Sequence, residues 1–260
     1  MADPLRVLVS AGASGIGVAI AGRFRADGAR VSVCDRDDAA VSRMLGADPD
    51  LHGVVADVAD GDALAGWVEG VVERWGGVDV LVNNAGIAGP TARVEDIDPA
   101  DWRECLAVNL DSQFLLARLV VPSMKAQRDG VIVNISSTAG LYGYGMRTPY
   151  AASKWAVIGF TKSLAIELGP FGVRANAIAP GSVEGDRMSR VIEAEASARG
   201  LPAEAVEREY TQGQSIPRFV RPSEIADVCA FLASPAASMI NGQVIAVDGN
   251  TETYHLAATD

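Results

Sequence analysis

Short apolar runs rich in valine alternate along this chain with longer segments of helical period. Arg6-Val7-Leu8-Val9-Ser10 and Arg30-Val31-Ser32-Val33-Cys34 are bounded by small or polar residues. Runs of this kind predict strands buried on both faces. Strands are expected near 5–10, 30–34, 51–56, 78–82, 130–135, 172–178 and 243–247, and helices near 15–27, 37–46, 60–75, 101–127, 150–168, 186–210 and 222–233. Asp101 and Thr148 read as N-caps, and Gly169-Pro170 as a helix stop. Alternation on this scale predicts the α/β class, a doubly wound parallel sheet of about seven strands with helices on both faces. Right-handed crossovers would set a ligand over the carboxyl ends of the strands. No repeat, low-complexity tract or linker interrupts the pattern, so residues 1–260 read as a single domain.

Composition narrows the function classes. The chain is 49% hydrophobic and rich in Ala, Val and Gly, as sandwiched parallel strands require. A net charge of −11 disfavours nucleic acid and anionic membranes as partners. No apolar run approaches the length of a membrane span, and no signal peptide opens the chain. Cys34, Cys105 and Cys229 have no metal-like spacing and are odd in number, which fits a reducing cytoplasm. With only His52 and His255, a histidine-based metal site is not expected.

The candidate chemistry lies at the turns. The first strand runs into Ala11-Gly12-Ala13-Ser14-Gly15-Ile16-Gly17, and a helical pattern follows at once. Small residues let the backbone approach a pyrophosphate, and the helix start supplies N–H donors at a positive dipole end. The second strand ends at Asp35, about 20 residues further on, where an acid meets the adenosine ribose hydroxyls. A carboxylate there repels a 2′-phosphate and favours NAD over NADP, although the adjacent Arg36 could pair with such a phosphate or stack on adenine. Tyr150 and Lys154 are four residues apart in a helical segment and share a face. An ammonium beside a phenol stabilises the phenolate, which suits proton exchange with an alcohol or carbonyl.

In order and spacing these motifs resemble a short-chain dehydrogenase/reductase of the compact, Rossmann-type form, and the resemblance covers nearly the whole chain. Ser10-Ala11-Gly12-Ala13-Ser14-Gly15-Ile16-Gly17 resembles the family's Thr-Gly-x-x-x-Gly-x-Gly, and Asp57-Val58 the pair that contacts adenine. Asn83-Asn84-Ala85-Gly86 matches the signature after the fourth strand, and Asn109 the active-site asparagine. Ser137 lies thirteen residues before Tyr150, as the family's serine does, and Pro180-Gly181 with Val183 matches the loop beside the nicotinamide. The resemblance implies Tyr150 as acid–base, Ser137 as a donor to the substrate oxygen, Lys154 on the ribose hydroxyls and Asn109 supporting a water relay. Ser136 is the alternative serine, but neighbouring strand residues face opposite sides. Two positions depart from the pattern. Ala11 replaces the first glycine, and Gly185 replaces a threonine that meets the carboxamide, implying a looser hold there.

The substrate side is less defined. Residues 185–217 resemble the family's substrate lid, a device that closes over ligand and excludes water. Tyr144, Arg147 and Ser182 are candidate substrate residues. Arg147 could grip an anion in bidentate fashion, or be solvated, or pair with the acidic lid. Tyr142, Tyr144 and Met146 could instead wall an apolar or sugar ring. A small acidic hydroxy compound and a neutral polyol, sugar or aryl alcohol therefore both stay open. Rival functions are an NADPH-dependent 3-oxoacyl-type carbonyl reductase, a silent dinucleotide-binding protein, and a lyase or epimerase on the same fold. The family also implies a homotetramer, with helices near 101–127 and 150–168 pairing across a two-fold axis. The tail Thr251-Glu252-Thr253-Tyr254-His255 could cross to a neighbouring subunit or fray.

Overall fold

The computed structural model describes residues 3–251. Seven parallel strands form one sheet in the order β3-β2-β1-β4-β5-β6-β7. They are β1 Arg6–Ser10, β2 Arg30–Asp35, β3 His52–Val55, β4 Val80–Asn83, β5 Gly130–Ile135, β6 Val173–Pro180 and β7 Val244–Val247. The expected fold class is found. The order reverses between β1 and β4, which opens a crevice at their carboxyl ends.

Both faces of the sheet are buried, as the near-continuous apolar runs require. Along β1, Leu8 packs in one core with Leu81 and Ile132, while Val7 and Val9 pack in the other with Val80 and Val82. Helices α1 Gly15–Ala26 and α9 Pro222–Ala233 cover the second face. On the first lie α3 Gly61–Trp75, α5 Ser112–Gln127 and α6 Thr148–Leu168. Helix α2 Asp38–Ala47 packs beside β3.

Four expectations need correction. The N-cap before the long helix is Asp98, not Asp101; its side chain accepts from the Ala100 amide, and Pro99 takes the first turn, where a missing N–H costs nothing. The helix predicted over 101–127 is α4 Pro99–Leu106, a π-turn over Ala107–Asp111, then α5. Pro99–Gln127 as a whole is long and apolar enough by composition to cross a membrane, but Leu116, Ala117, Val120 and Met124 lie in the core beside the sheet. Arg147, not Thr148, holds the N-cap position of α6, with no side-chain cap. Finally, the stretch predicted as one helix over 186–210 is two, α7 Asp186–Arg199 and α8 Ala203–Gln212. Gly200 closes α7 in the left-handed region, and Pro202 cannot continue it. Ile192, Ala196 and Val206 give this pair a small core of its own. Of the tail, Thr251 pairs with Gln214; the rest lies outside the described residues.

Candidate active site

The turn from β1 into α1 forms a cradle. A Cβ on Gly17 would collide with the Ala11 carbonyl, and one on Gly12 with Val33, so turn, helix and sheet touch through bare backbone. Gly15 has φ +51 and faces open space. Ser14 caps no amide with its side chain, and the first turn of α1 holds no acid. The helix therefore presents uncapped N–H donors beside an open volume, which fits a pyrophosphate. Ala11 adopts φ +48, so the chain keeps a glycine-type backbone with an alanine in it. At the end of β2, Asp35 is buried to 7% exposure, accepting from the amides of Ala13 at 3.1 Å and Asp37 at 3.2 Å. Arg36 is exposed beside it. The Ser10 hydroxyl accepts from the amides of Asn84 and Ala85, tying this turn to the one after β4.

Across the crevice, α6 carries Tyr150 and Lys154 on one face. The Lys154 ammonium lies 5.7 Å from the centre of the Tyr150 ring and donates to the Ile135 carbonyl at 2.9 Å. Burial pushes the Tyr150 phenol up, but Arg187, Lys154, the Ser137 hydroxyl and Arg147 outweigh it and bring the phenol below its ordinary value. Lys154 is lowered by burial and by Arg187, against the pull of Tyr150. Ser137 and Ser136 face different ways, as strand alternation requires. Ser137 is half-buried at the end of β5, while Ser136 is buried and donates to the Lys154 carbonyl at 2.8 Å. Gly140 lets this turn lie against α6, since a Cβ there would collide with the Lys154 carbonyl.

Asn109 sits inside the π-turn and is fully buried. Its Oδ1 accepts from the Ile87 amide at 2.7 Å, and its Nδ2 donates to the Ile87 carbonyl and to Ser153. A Cβ on Gly86 would stand 3.2 Å from Asn109 Oδ1 and 3.3 Å from Lys154 Nζ, so glycine admits both groups to one place.

The comparisons agree with this geometry. A family model described as enoyl-(acyl carrier protein) reductase matches residues 10–250. A 3-oxoacyl-(acyl-carrier-protein) reductase of Thermotoga maritima is 40% identical over 248 residues, covering 93% of this chain and 95% of that protein. The chain belongs to the short-chain dehydrogenase/reductase family. Like its relatives in this family, it is an oxidoreductase of CH–OH and carbonyl groups that uses a nicotinamide dinucleotide. A variant of actinorhodin polyketide ketoreductase with NADPH superposes at TM-score 0.92 and 35% identity, over 98% of this chain and all of that one. NAD-bound xylitol dehydrogenase superposes at 0.91 and 29%, over 95% and 98%.

Not every motif residue of this family member reaches the crevice by its side chain. Asn83 turns into the sheet, donating to Asn134, which in turn donates to Thr161. Val58 is part of the hydrophobic core, and Asp57 accepts from the Ala59 amide of its own turn. Gly181 closes against Asp248, Ser182 accepts from the Val220 amide through its carbonyl, and Val183 pairs with Val220. Two residues absent from the motif reading stand in the site. Ser153 links Asn109 to the Tyr150 carbonyl. Arg187, on the first turn of α7, donates to the Gly86 carbonyl at 3.0 Å and lies 5.8 Å from the centre of the Tyr150 ring. Arg147 is buried to 5% exposure, 5.1 Å from that ring, and donates to the Ala88 carbonyl. Tyr144 donates to Tyr210 of α8 at 2.5 Å, and Tyr210 donates to Glu195 of α7.

Proposed function

We propose that this enzyme oxidises a secondary alcohol to a ketone, with NAD as the acceptor and Tyr150 as acid–base. The observation that carries the reading is the Tyr150 phenol held below its ordinary value beside Lys154. When bound, the nicotinamide supplies the hydride acceptor, or the donor in reverse. The phenolate of Tyr150 takes the hydroxyl proton in oxidation, and its phenol returns one in reduction. Ser137 donates to the substrate oxygen and sets it against Tyr150. Lys154 steadies the phenolate and holds the nicotinamide ribose, and Asn109 supports the proton path from Lys154 to solvent. Residues 185–217 act as the lid that excludes water.

On the cofactor side, Gly12, Ser14, Gly15, Ile16 and Gly17 hold the pyrophosphate, with Ala85, Gly86, Pro180, Gly181 and Val183 along the nicotinamide half. The preference for NAD rests on Asp35, a buried carboxylate held by two amides where an adenosine ribose is expected. A second reading, an NADPH-dependent 3-oxoacyl-type reductase, is favoured by the Thermotoga relative and by the exposed Arg36. Initial rates followed by the absorbance of the reduced nicotinamide, with NAD and NADP in parallel against alcohols, polyols and hydroxy acids, separate the two. Turnover with NAD supports Asp35 as the determinant. Turnover with NADP alone gives Arg36 the deciding role and moves the enzyme to the reductive class.

The assembly is proposed as a cytoplasmic homotetramer. Phe114, Trp155 and Ile166 stand exposed on the helices expected to pair across a two-fold axis. Three free, buried cysteines suit a reducing compartment. Light scattering on the purified protein tests the assembly.

A further inference from the structure

Three cations surround the Tyr150 ring. The guanidinium carbons of Arg147 and Arg187 stand 5.1 Å and 5.8 Å from its centre, and the Lys154 ammonium 5.7 Å. All three also meet one loop: Arg147 donates to the Ala88 carbonyl, Arg187 to the Gly86 carbonyl, and Lys154 Nζ lies 3.3 Å from where a Gly86 Cβ would stand. Among the described residues, none of them forms an ion pair with a carboxylate. Glu195, the acid that acts on nearby Tyr144, is already held by Arg199 and Tyr210. The chain has 33 acids against 22 Lys and Arg, so a cationic pocket without an acid runs against its composition.

Lys154 shares a face of α6 with Tyr150 and donates to the Ile135 carbonyl, so it belongs to the acid–base pair and leaves the two arginines outside it. They come from separate elements, Arg147 from the start of α6 and Arg187 from the first turn of α7. Each is tied by one bond to a carbonyl of the loop after β4, Ala88 and Gly86 respectively. Arg147 Nε is buried without a hydrogen-bond partner. A buried cationic N–H left without an acceptor is costly, and an incoming oxyanion removes that cost. The pyrophosphate has its own donors at the start of α1, in the turn after β1, so the dinucleotide does not require this pair.

We infer that Arg147 and Arg187 form a receptor for a carboxylate, and that the substrate is a small hydroxy acid or the matching oxo acid. The planar guanidinium suits a planar carboxylate. The receptor rests on the reading of Tyr150 as acid–base, because it places the carboxylate beside the carbon whose hydroxyl Tyr150 deprotonates. It would also couple substrate charge to the lid, since Arg187 travels with α7.

The test is a set of 2- and 3-hydroxy acids, each beside its methyl ester, with the wild-type enzyme, Arg187→Gln and Arg147→Met. The acid-to-ester ratio of kcat/KM within one variant cancels any change in Tyr150 that both substrates feel. Wild type should prefer an acid over its ester by about 10- to 100-fold, and each substitution should collapse that ratio through KM for the acid. Arg187 is exposed, so its variant keeps the test alive if Arg147→Met does not fold. Equal use of acid and ester by wild type, or an unchanged ratio in Arg187→Gln, overturns the receptor. Weakened NAD binding in a fluorescence titration, with the ratio intact, reassigns the arginines to the dinucleotide. If neither acids nor esters turn over, the dehydrogenase reading fails by itself. Butyrate titrated into the NAD-loaded protein then decides the receptor: binding lost in Arg187→Gln upholds it, and no binding overturns it.

Discussion

Tyr150 and Tyr210 are both half-buried, yet they are tuned in opposite directions. Burial raises both phenols. Around Tyr150, Arg187, Lys154, Ser137 and Arg147 reverse that effect. Around Tyr210, Tyr144 and Glu195 add to it, so the phenol is driven far above its ordinary range. The second tyrosine is locked as a donor from α8 to Glu195 of α7, while the first is free to lose a proton. Burial sets how strongly neighbours are felt, and the sign of the neighbouring charge decides what the residue can do.

The comparison can be broken most severely at Tyr150. Tyr150→Phe should lower kcat by about 10²- to 10⁴-fold, with binding of the nicotinamide dinucleotide retained in titration. Next in size is a pH effect. In the proposed mechanism oxidation needs the phenolate, so the rate should rise with pH through the Tyr150 pKa. Removing a cation, as in Lys154→Met or Arg187→Gln, raises that pKa and should displace the kcat/KM profile to higher pH. A profile that stays put, or moves down, would remove these cations from the tuning of Tyr150. Tyr210→Phe sharpens the contrast from the other side. It should loosen the α7–α8 pair by about 1 kcal/mol, seen as faster limited proteolysis within 186–212 and, if the pair closes over substrate as proposed, a higher KM, with the pH profile unmoved. The smallest effect is expected at Ala11. Ala11→Gly relieves a left-handed alanine but adds freedom to the unfolded chain, for a net gain of roughly 0.5–1 kcal/mol in thermal unfolding.

Strand positions were most legible in β1, β2 and β4, valine-rich runs whose two faces are both covered. The crevice residues were legible wherever a motif fixes them by local spacing, as at Tyr150 and Lys154. What a sequence does not carry locally was missed. Arg187 meets Tyr150 only because α7 folds back over Gly86, a contact of long range. Asn83 belongs to a matching motif, yet its side chain serves the sheet, because a buried amide takes whichever partner the neighbouring strand offers. The break at Gly200-Leu201-Pro202 was readable from a glycine stop and a following proline, and the charged run around it masked that signal. The π-turn at Ala107–Asp111 has no comparable local mark.

That turn gives the long helix an odd gear tooth. A π-turn holds one residue more than the α-helical pitch allows, and one residue is about 100° of rotation. The stretch after Asp111 is thus out of phase with the stretch before it. Upstream, Cys105 points toward Asn109; downstream, Leu116, Val120 and Met124 point at the sheet. Deleting a single residue from 107–111 would restore a plain helix and force a choice between these two orientations, turning either the asparagine out of the crevice or the apolar stripe away from the core.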